Sequence, residues 1–202
     1  FITKIFPKKY EVEAWRLINS TFTILSIFGI YNITKILFNK KVAKIVFLIC
    51  FLNPIYFGHM AINSKDTIFA FANIWSTYIF LRYIKKQHFS VYRNRYIILA
   101  GLSIGLGTGV RLPFLITLLP LVIFLVFEII YFKSIISNKF SVKKFILDLV
   151  IILFIAYLIT ISTWPQVHSN IFLEPFKILM TGVDLQDFGS QWILFNQNFF
   201  DT

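Results

Sequence analysis

Four side chains capable of chemistry share one short stretch: His59, Asn63, Lys65 and Asp66, within the run Asn53-Pro54-Ile55-Tyr56-Phe57-Gly58-His59-Met60-Ala61-Ile62-Asn63-Ser64-Lys65-Asp66. A lysine ammonium is a compact positive charge suited to phosphate oxygens. An imidazole can donate a hydrogen bond, take a proton or ligate a metal. Apolar segments greasy enough to cross a bilayer press on this stretch from both sides, and an ionisable group costs about 2.5–3.5 kcal/mol at membrane depth. Such groups belong where they face a cavity, a partner charge or an aqueous surface. Two readings follow. The stretch is a site on an integral membrane protein, or it is a polar turn in which Asp66 favours the start of the next helix through the helix dipole.

Arg111 is the second candidate, in the break Arg111-Leu112-Pro113 between two apolar segments, with no acidic residue close by in sequence. It either snorkels to the interface or binds an anionic group, for which the guanidinium fork suits phosphate. As a site residue it is expected within reach of Lys65 or Asp66. The preceding segment holds Ala100, Gly101, Ser103, Gly105, Gly107, Thr108 and Gly109. No Lys-Ser or Lys-Thr follows, so this is not a nucleotide loop. Small residues let helices approach closely, and they also leave space for a lipid chain. His168, Asp184 and Asp187 match no closed ligand set. No metal site is predicted and no cofactor is assigned; a divalent cation is the one left open. Asn19-Ser20-Thr21 and Asn32-Ile33-Thr34 fit the glycosylation acceptor pattern but fall inside an apolar segment.

The elements that position these residues are membrane spans. Of 202 residues, 57% are hydrophobic, 19% aromatic and only 14% charged, with 25 phenylalanines, which excludes an ordinary soluble domain. The single cysteine, Cys50, cannot form an internal disulfide. The net charge of +11 is gathered in short clusters between apolar segments rather than in a stripe with polar aromatics, so nucleic acid is not a predicted partner. Six spans are predicted: Trp15–Phe38, Val42–Gly58, Thr67–Tyr83, Tyr96–Val110, Leu112–Phe132 and Phe145–Thr163. The fold class is therefore all-α, a polytopic membrane helical bundle over residues 1–163, followed by an outer, periplasmic region over 164–202. That region is expected to be incomplete and to hold a short surface helix built on Phe172, Phe176, Leu179 and Met180.

Charge sets the orientation. Three alternate loops hold Lys40, Lys41 and Lys44; Arg82, Lys85, Lys86, Arg93 and Arg95; and Lys133, Lys139, Lys143 and Lys144, with no acidic residue among them. These loops are predicted to be cytoplasmic. The other segments carry seven of the nine acids and are predicted to lie outside, with the 59–66 stretch and Arg111 on that outer face. Glu128 and Asp148 are the exceptions, near the inner ends. The chain opens on Phe1 and closes on Phe199-Phe200-Asp201-Thr202, which reads as a piece of a longer protein.

The order of features resembles the multi-spanning glycosyltransferases of the GT-C fold. A pair of spans is followed by Asn53-Pro54, Gly58-His59 and Asn63-Ser64-Lys65-Asp66, a basic loop, then Ala100-Gly101-Leu102-Ser103-Ile104-Gly105-Leu106 and Arg111. It is most similar to the dolichyl-phosphate-mannose protein mannosyltransferases and their bacterial lipid-carrier-dependent cousins, over nearly the whole chain. In that family a Gly-His…Asn-Pro-Lys-Asp turn opens a span; here Ser64 stands where Pro is common. Trp164-Pro165-Gln166-Val167-His168 departs from the usual Trp-Pro-x-x-Trp at its last position. The resemblance implies transfer of a sugar from a polyprenyl-phosphate donor to an acceptor (protein, lipid or glycan) at the outer face, with inversion. It implies a carboxylate activating the acceptor and cations stabilising the departing phosphate. The acidic motif that supplies the base is expected upstream of Phe1, so the catalytic residue is not assigned, and neither Glu11 nor Glu13 is given that role. Lys65, Asp66, Arg111, His59 and Asn63 would bind the donor phosphate or line the site. The location implied is a bacterial inner membrane with a periplasmic active face. The rivals are a transporter or channel whose pathway these charges line, and a non-catalytic membrane scaffold.

Overall fold

Hydroxyl and amide side chains inside an apolar helix need partners where water is absent, and the first helix supplies most of them itself, the buried Asn19 Oδ1 being left without one. In the computed structural model, which describes residues 10–54, 64–111, 114–164, 170–171 and 173–174, helix α1 runs over Glu11–Leu37. Thr21, Thr23, Ser26, Asn32 and Thr34 each donate to the carbonyl four residues back, at 2.8–3.0 Å. The two glycosylation-like sequences are thereby ordinary helix in an apolar span.

Helix α2, Lys40–Leu52, starts where the Asn39 side chain accepts from the Val42 N–H at 2.9 Å. Its outward residues Ile45, Leu48, Ile49 and Leu52 stay exposed, as residues facing lipid do. Helices α3, Ser64–Lys86, and α4, Ser90–Val110, are longer than the spans predicted for them. The basic segment read as a loop is mostly helix, interrupted only at Gln87–Phe89. Lys and Arg are good helix formers, so topology-setting charges need not lie in irregular chain. The fifth span is broken: α5, Phe114–Thr117, gives way at Leu118 to α6, Leu119–Phe127, which continues as a π-helical turn over Glu128–Phe132. Pro120 cannot donate to the carbonyl of Ile116, and this missing bond coincides with the break. Helix α7 covers Val142–Thr163.

Three of these stretches, Val12–Leu37, Phe114–Phe132 and Val142–Thr163, are long and apolar enough to cross a membrane. Helix α2, at 13 residues, is too short, and α3 and α4 carry charges within their first or last turns. Among the described residues there is no strand, and the protein is a helical membrane protein.

Helix α3 is central. Trp75 Nε1 donates to the Leu25 carbonyl at 3.2 Å, Phe22 meets Phe71 edge-on, and a Cβ on Gly29 would stand 2.6 Å from Ile74. Phe22 meets Phe71 near the start of this seam and Leu37 shares a cleft with Thr77 and Leu81 near its end, so α1 and α3 are parallel. On the other side Ser103 Oγ donates to the Ala72 carbonyl at 3.1 Å, while Arg93 lies near Tyr83, so α4 is antiparallel to α3. Helix α7 runs parallel to α4: Gly101 packs on Ile155, Gly105 on Ile159, and Thr108 shares a 2.8 Å hydrogen bond with Thr160. The core joins Ala72, Ile79, Phe80, Tyr83 and Ile84 of α3 to Ile97, Ala100 and Ile104 of α4, Phe114, Leu121 and Leu125 of the broken span, and Ile152 and Ala156 of α7.

The chain divides into two compact units, residues 1–160 and 161–202. In the second, the Asn170 side chain accepts from the Leu173 N–H at 3.3 Å, and its carbonyl accepts from Glu174 at 3.0 Å. The predicted surface helix falls almost wholly outside the described residues.

Candidate functional site

Arg111 ends α4. Its backbone is extended, its N–H donates to the Gly107 carbonyl at 3.1 Å, and its own carbonyl accepts from Phe114 at 3.1 Å. This turn is held from below. Phe114 is fully buried, crosses Phe69 edge-on at 5.2 Å between ring centres, and lies flat against Gly107, where a Cβ would come within 2.5 Å of the ring. Thr117 Oγ1 donates to the Phe114 carbonyl at 2.7 Å and accepts from Asn73 Nδ2 at 2.9 Å. Asn73 stands two turns along α3 from Asp66, so these contacts fix the Arg111 turn against the start of α3.

The result is an ion pair across that join: Arg111 Nη1 lies 2.9 Å from Asp66 Oδ1, and the side chains are 48% and 49% exposed. Lys65 sits beside Asp66 in the first turn of α3 and is exposed. Three of the five site residues read from sequence are thus gathered at one end of the bundle. His59 and Asn63 lie outside the described residues. Among the described residues, no three His, Cys, Asp or Glu side chains cluster as metal ligands would.

Below the ion pair a cleft of about 340 Å³ runs between α3 and the broken span. Asn73, Thr77 and Thr117 line it together with Leu81, Leu121 and Phe124. It starts about 10 Å below Asp66 at the helical rise per residue, and its lower part is apolar.

The family description "dolichyl-phosphate-mannose-protein mannosyltransferase" matches residues 1–164. The chain belongs to this family. No curated protein and no solved structure matches it. A member of the dolichyl-phosphate-mannose-protein mannosyltransferase family is a membrane glycosyltransferase, which decides between the enzyme and its transporter and scaffold rivals.

In this mannosyltransferase-family chain, a second polar cluster escaped the sequence reading. Asp148 of α7 is fully buried, and Arg93 grips it in a two-pronged pair, Nε to Oδ2 at 2.6 Å and Nη2 to Oδ1 at 2.5 Å. Tyr83 donates to the same Oδ2 at 2.6 Å. Gln87 donates to Tyr83 and to the Ser141 carbonyl, and accepts from the Ser141 N–H at 2.7 Å. The hydrogen bond to Asp148 raises the Arg93 pKa above its ordinary value. Arg93 therefore does more than set topology as a boundary charge. It ties α4 to α7 at the end of the bundle opposite Arg111. The available signal was an aspartate inside an apolar span, which demands a partner. Glu128 follows the same logic. Buried at the end of the fifth span, its carboxylate accepts from Ser134 Oγ at 3.0 Å and from the Ile135 and Ile136 N–H groups.

Proposed function

We propose that this protein transfers a sugar from a polyprenyl-phosphate donor to an acceptor hydroxyl or similar group at the outer face of the membrane, with inversion at the sugar carbon. The observation that carries this reading is the Asp66–Arg111 ion pair on a half-exposed face, beside Lys65 and above a membrane-depth cleft. As the bond from the sugar carbon to phosphate oxygen breaks, negative charge gathers on the leaving lipid phosphate. Preplaced cations stabilise that charge more than they stabilise the intact donor. With Nη1 held by Asp66, the rest of the Arg111 fork is turned to two oxygens of one phosphate. Lys65 adds a point charge without geometric demand. Asp66 then orients the arginine. The cleft supports a lipid chain descending from that phosphate. His59 and Asn63 belong to the same stretch and are assigned to lining the site. A periplasmic face of a bacterial inner membrane is the location this reading takes.

The test is sugar transfer by the full-length protein with a polyprenyl-phosphate sugar, each variant normalised to folded protein in the membrane. Arg111→Lys keeps the charge and loses the fork. It should reduce turnover by roughly tenfold or more, the scale of one charge-assisted hydrogen bond. Turnover near that of the parent would remove Arg111 from the site.

A further inference from the structure

The loop after the fifth span is built, not slack, and it leaves a groove at the membrane boundary. Glu128 holds its near side through Ser134, Ile135 and Ile136, and Gln87 holds its far side through Ser141. Lys133 reverses the chain with a left-handed backbone, φ 48°, its N–H donating to the Glu128 carbonyl at 2.9 Å. Between the last turn of the span and this loop lies a half-open groove of about 500 Å³. Lys133, Ser137 and Asn138 form its polar wall, and Ile129, Ile136 and Val142 its apolar wall. Tyr131 and Phe132 stand exposed beside it, as aromatic side chains do at a bilayer interface. Among the described residues, Lys133, Lys139 and Lys143 form no ion pair, and the Glu128 carboxylate is spent on the loop's own hydrogen bonds. The groove is thus amphipathic, cationic and placed where an apolar span ends.

We propose that this groove binds an anionic glycerophospholipid: the headgroup phosphate against Lys133, Ser137 and Asn138, and one acyl chain against Ile129, Ile136 and Val142. Charge complementarity selects the occupant. A basic pocket beside a span end favours an anionic headgroup, and the apolar wall has no use in holding a soluble anion. The inference is independent of the sugar-transfer reading, since it concerns the opposite end of the bundle from Arg111.

The experiment uses the full-length protein in detergent micelles, titrated with phosphatidylglycerol or phosphatidylcholine, with retained lipids counted by native mass spectrometry. The parent should retain phosphatidylglycerol in preference to phosphatidylcholine. Lys133→Asn keeps a residue tolerant of the left-handed backbone and should lose roughly fivefold of that preference, the share one lysine carries near an anionic lipid surface. Val142→Trp fills the apolar wall and should weaken retention of both lipids. Lys44→Gln, at an exposed basic residue of α2, should change nothing. An equal loss in Lys44→Gln, or an unchanged preference in folded Lys133→Asn, would show diffuse attraction and overturn the site. Displacement of the lipid by an equal concentration of inorganic phosphate would overturn the lipid assignment.

Discussion

An arginine and an aspartate that are each about half exposed gain little from each other, roughly 0–1 kcal/mol. The Asp66–Arg111 pair is therefore poorly explained as a source of stability. Asp66→Asn should cost well under 1 kcal/mol of folding stability, chiefly its favourable placement at the helix start, while lowering sugar transfer several-fold because Arg111 loses its orientation. A thermal melt and a transfer assay on the same preparation separate the two effects, and equal losses in both would return Asp66 to a capping role. The Arg93–Asp148 pair is the opposite case. With Asp148 fully buried, Asp148→Leu strands a guanidinium, and breaking such a pair costs about 3–5 kcal/mol. The double substitution Arg93→Met with Asp148→Leu should restore most of that loss in a melt of the detergent-solubilised protein. The two pairs differ in how visible they are. Lys65, Asp66 and Arg111 stand out because charge is costly beside apolar spans. Asp148 is as conspicuous, but its partner lies 55 residues away, and only the fold brings it there.

Helix packing depends on a few missing side chains. Gly101 and Gly105 let α7 lie directly on α4, where any Cβ would meet Ile155 or Ile159 at 2.6–2.7 Å. Gly107 does the same for the Phe114 ring, and through it for the turn that carries Arg111. Gly107→Ala gains up to about 1 kcal/mol of helix propensity but forces the ring aside, at a cost of about 1–3 kcal/mol for an overpacked core. The net expectation is lower stability together with lower transfer, partly recovered by adding Phe114→Leu, which frees space at the clash. Failure of that second change to recover either quantity would separate Gly107 from the Arg111 turn. The cluster of small residues shows in the sequence that this helix is approached closely. Composition cannot name what approaches it, because periodicity ranks the faces of one helix and is silent about its neighbours. Helices α3 and α4 run past their predicted spans for a related reason: lysine and arginine mark the membrane boundary without ending the helix.

Across the whole molecule, helix direction and charge give two independent accounts of topology. In the structure α1 runs parallel to α3, α3 antiparallel to α4, and α4 parallel to α7, as their paired residues show. Six alternating crossings require those same relations. Direction alone leaves the bundle free to sit either way up. The sign comes from the basic residues, which gather at the ends of α1, α3 and the fifth span and at the starts of α2, α4 and α7. A bilayer reads that asymmetry during insertion and retains lysine and arginine on the cytoplasmic side. The loop holding Ser137 should then be cytoplasmic, and the Asp66–Arg111 pair and the region after Thr163 should face outward. Single cysteines at Ser137 and Gln186, in a Cys50→Ala background, provide the check in intact cells and in inverted vesicles. A membrane-impermeant thiol reagent should label Gln186→Cys only from outside and Ser137→Cys only after inversion. Labelling of both from one side would mean an odd crossing has been miscounted. It would also move Arg111 away from the face where a lipid-borne sugar is proposed to be received.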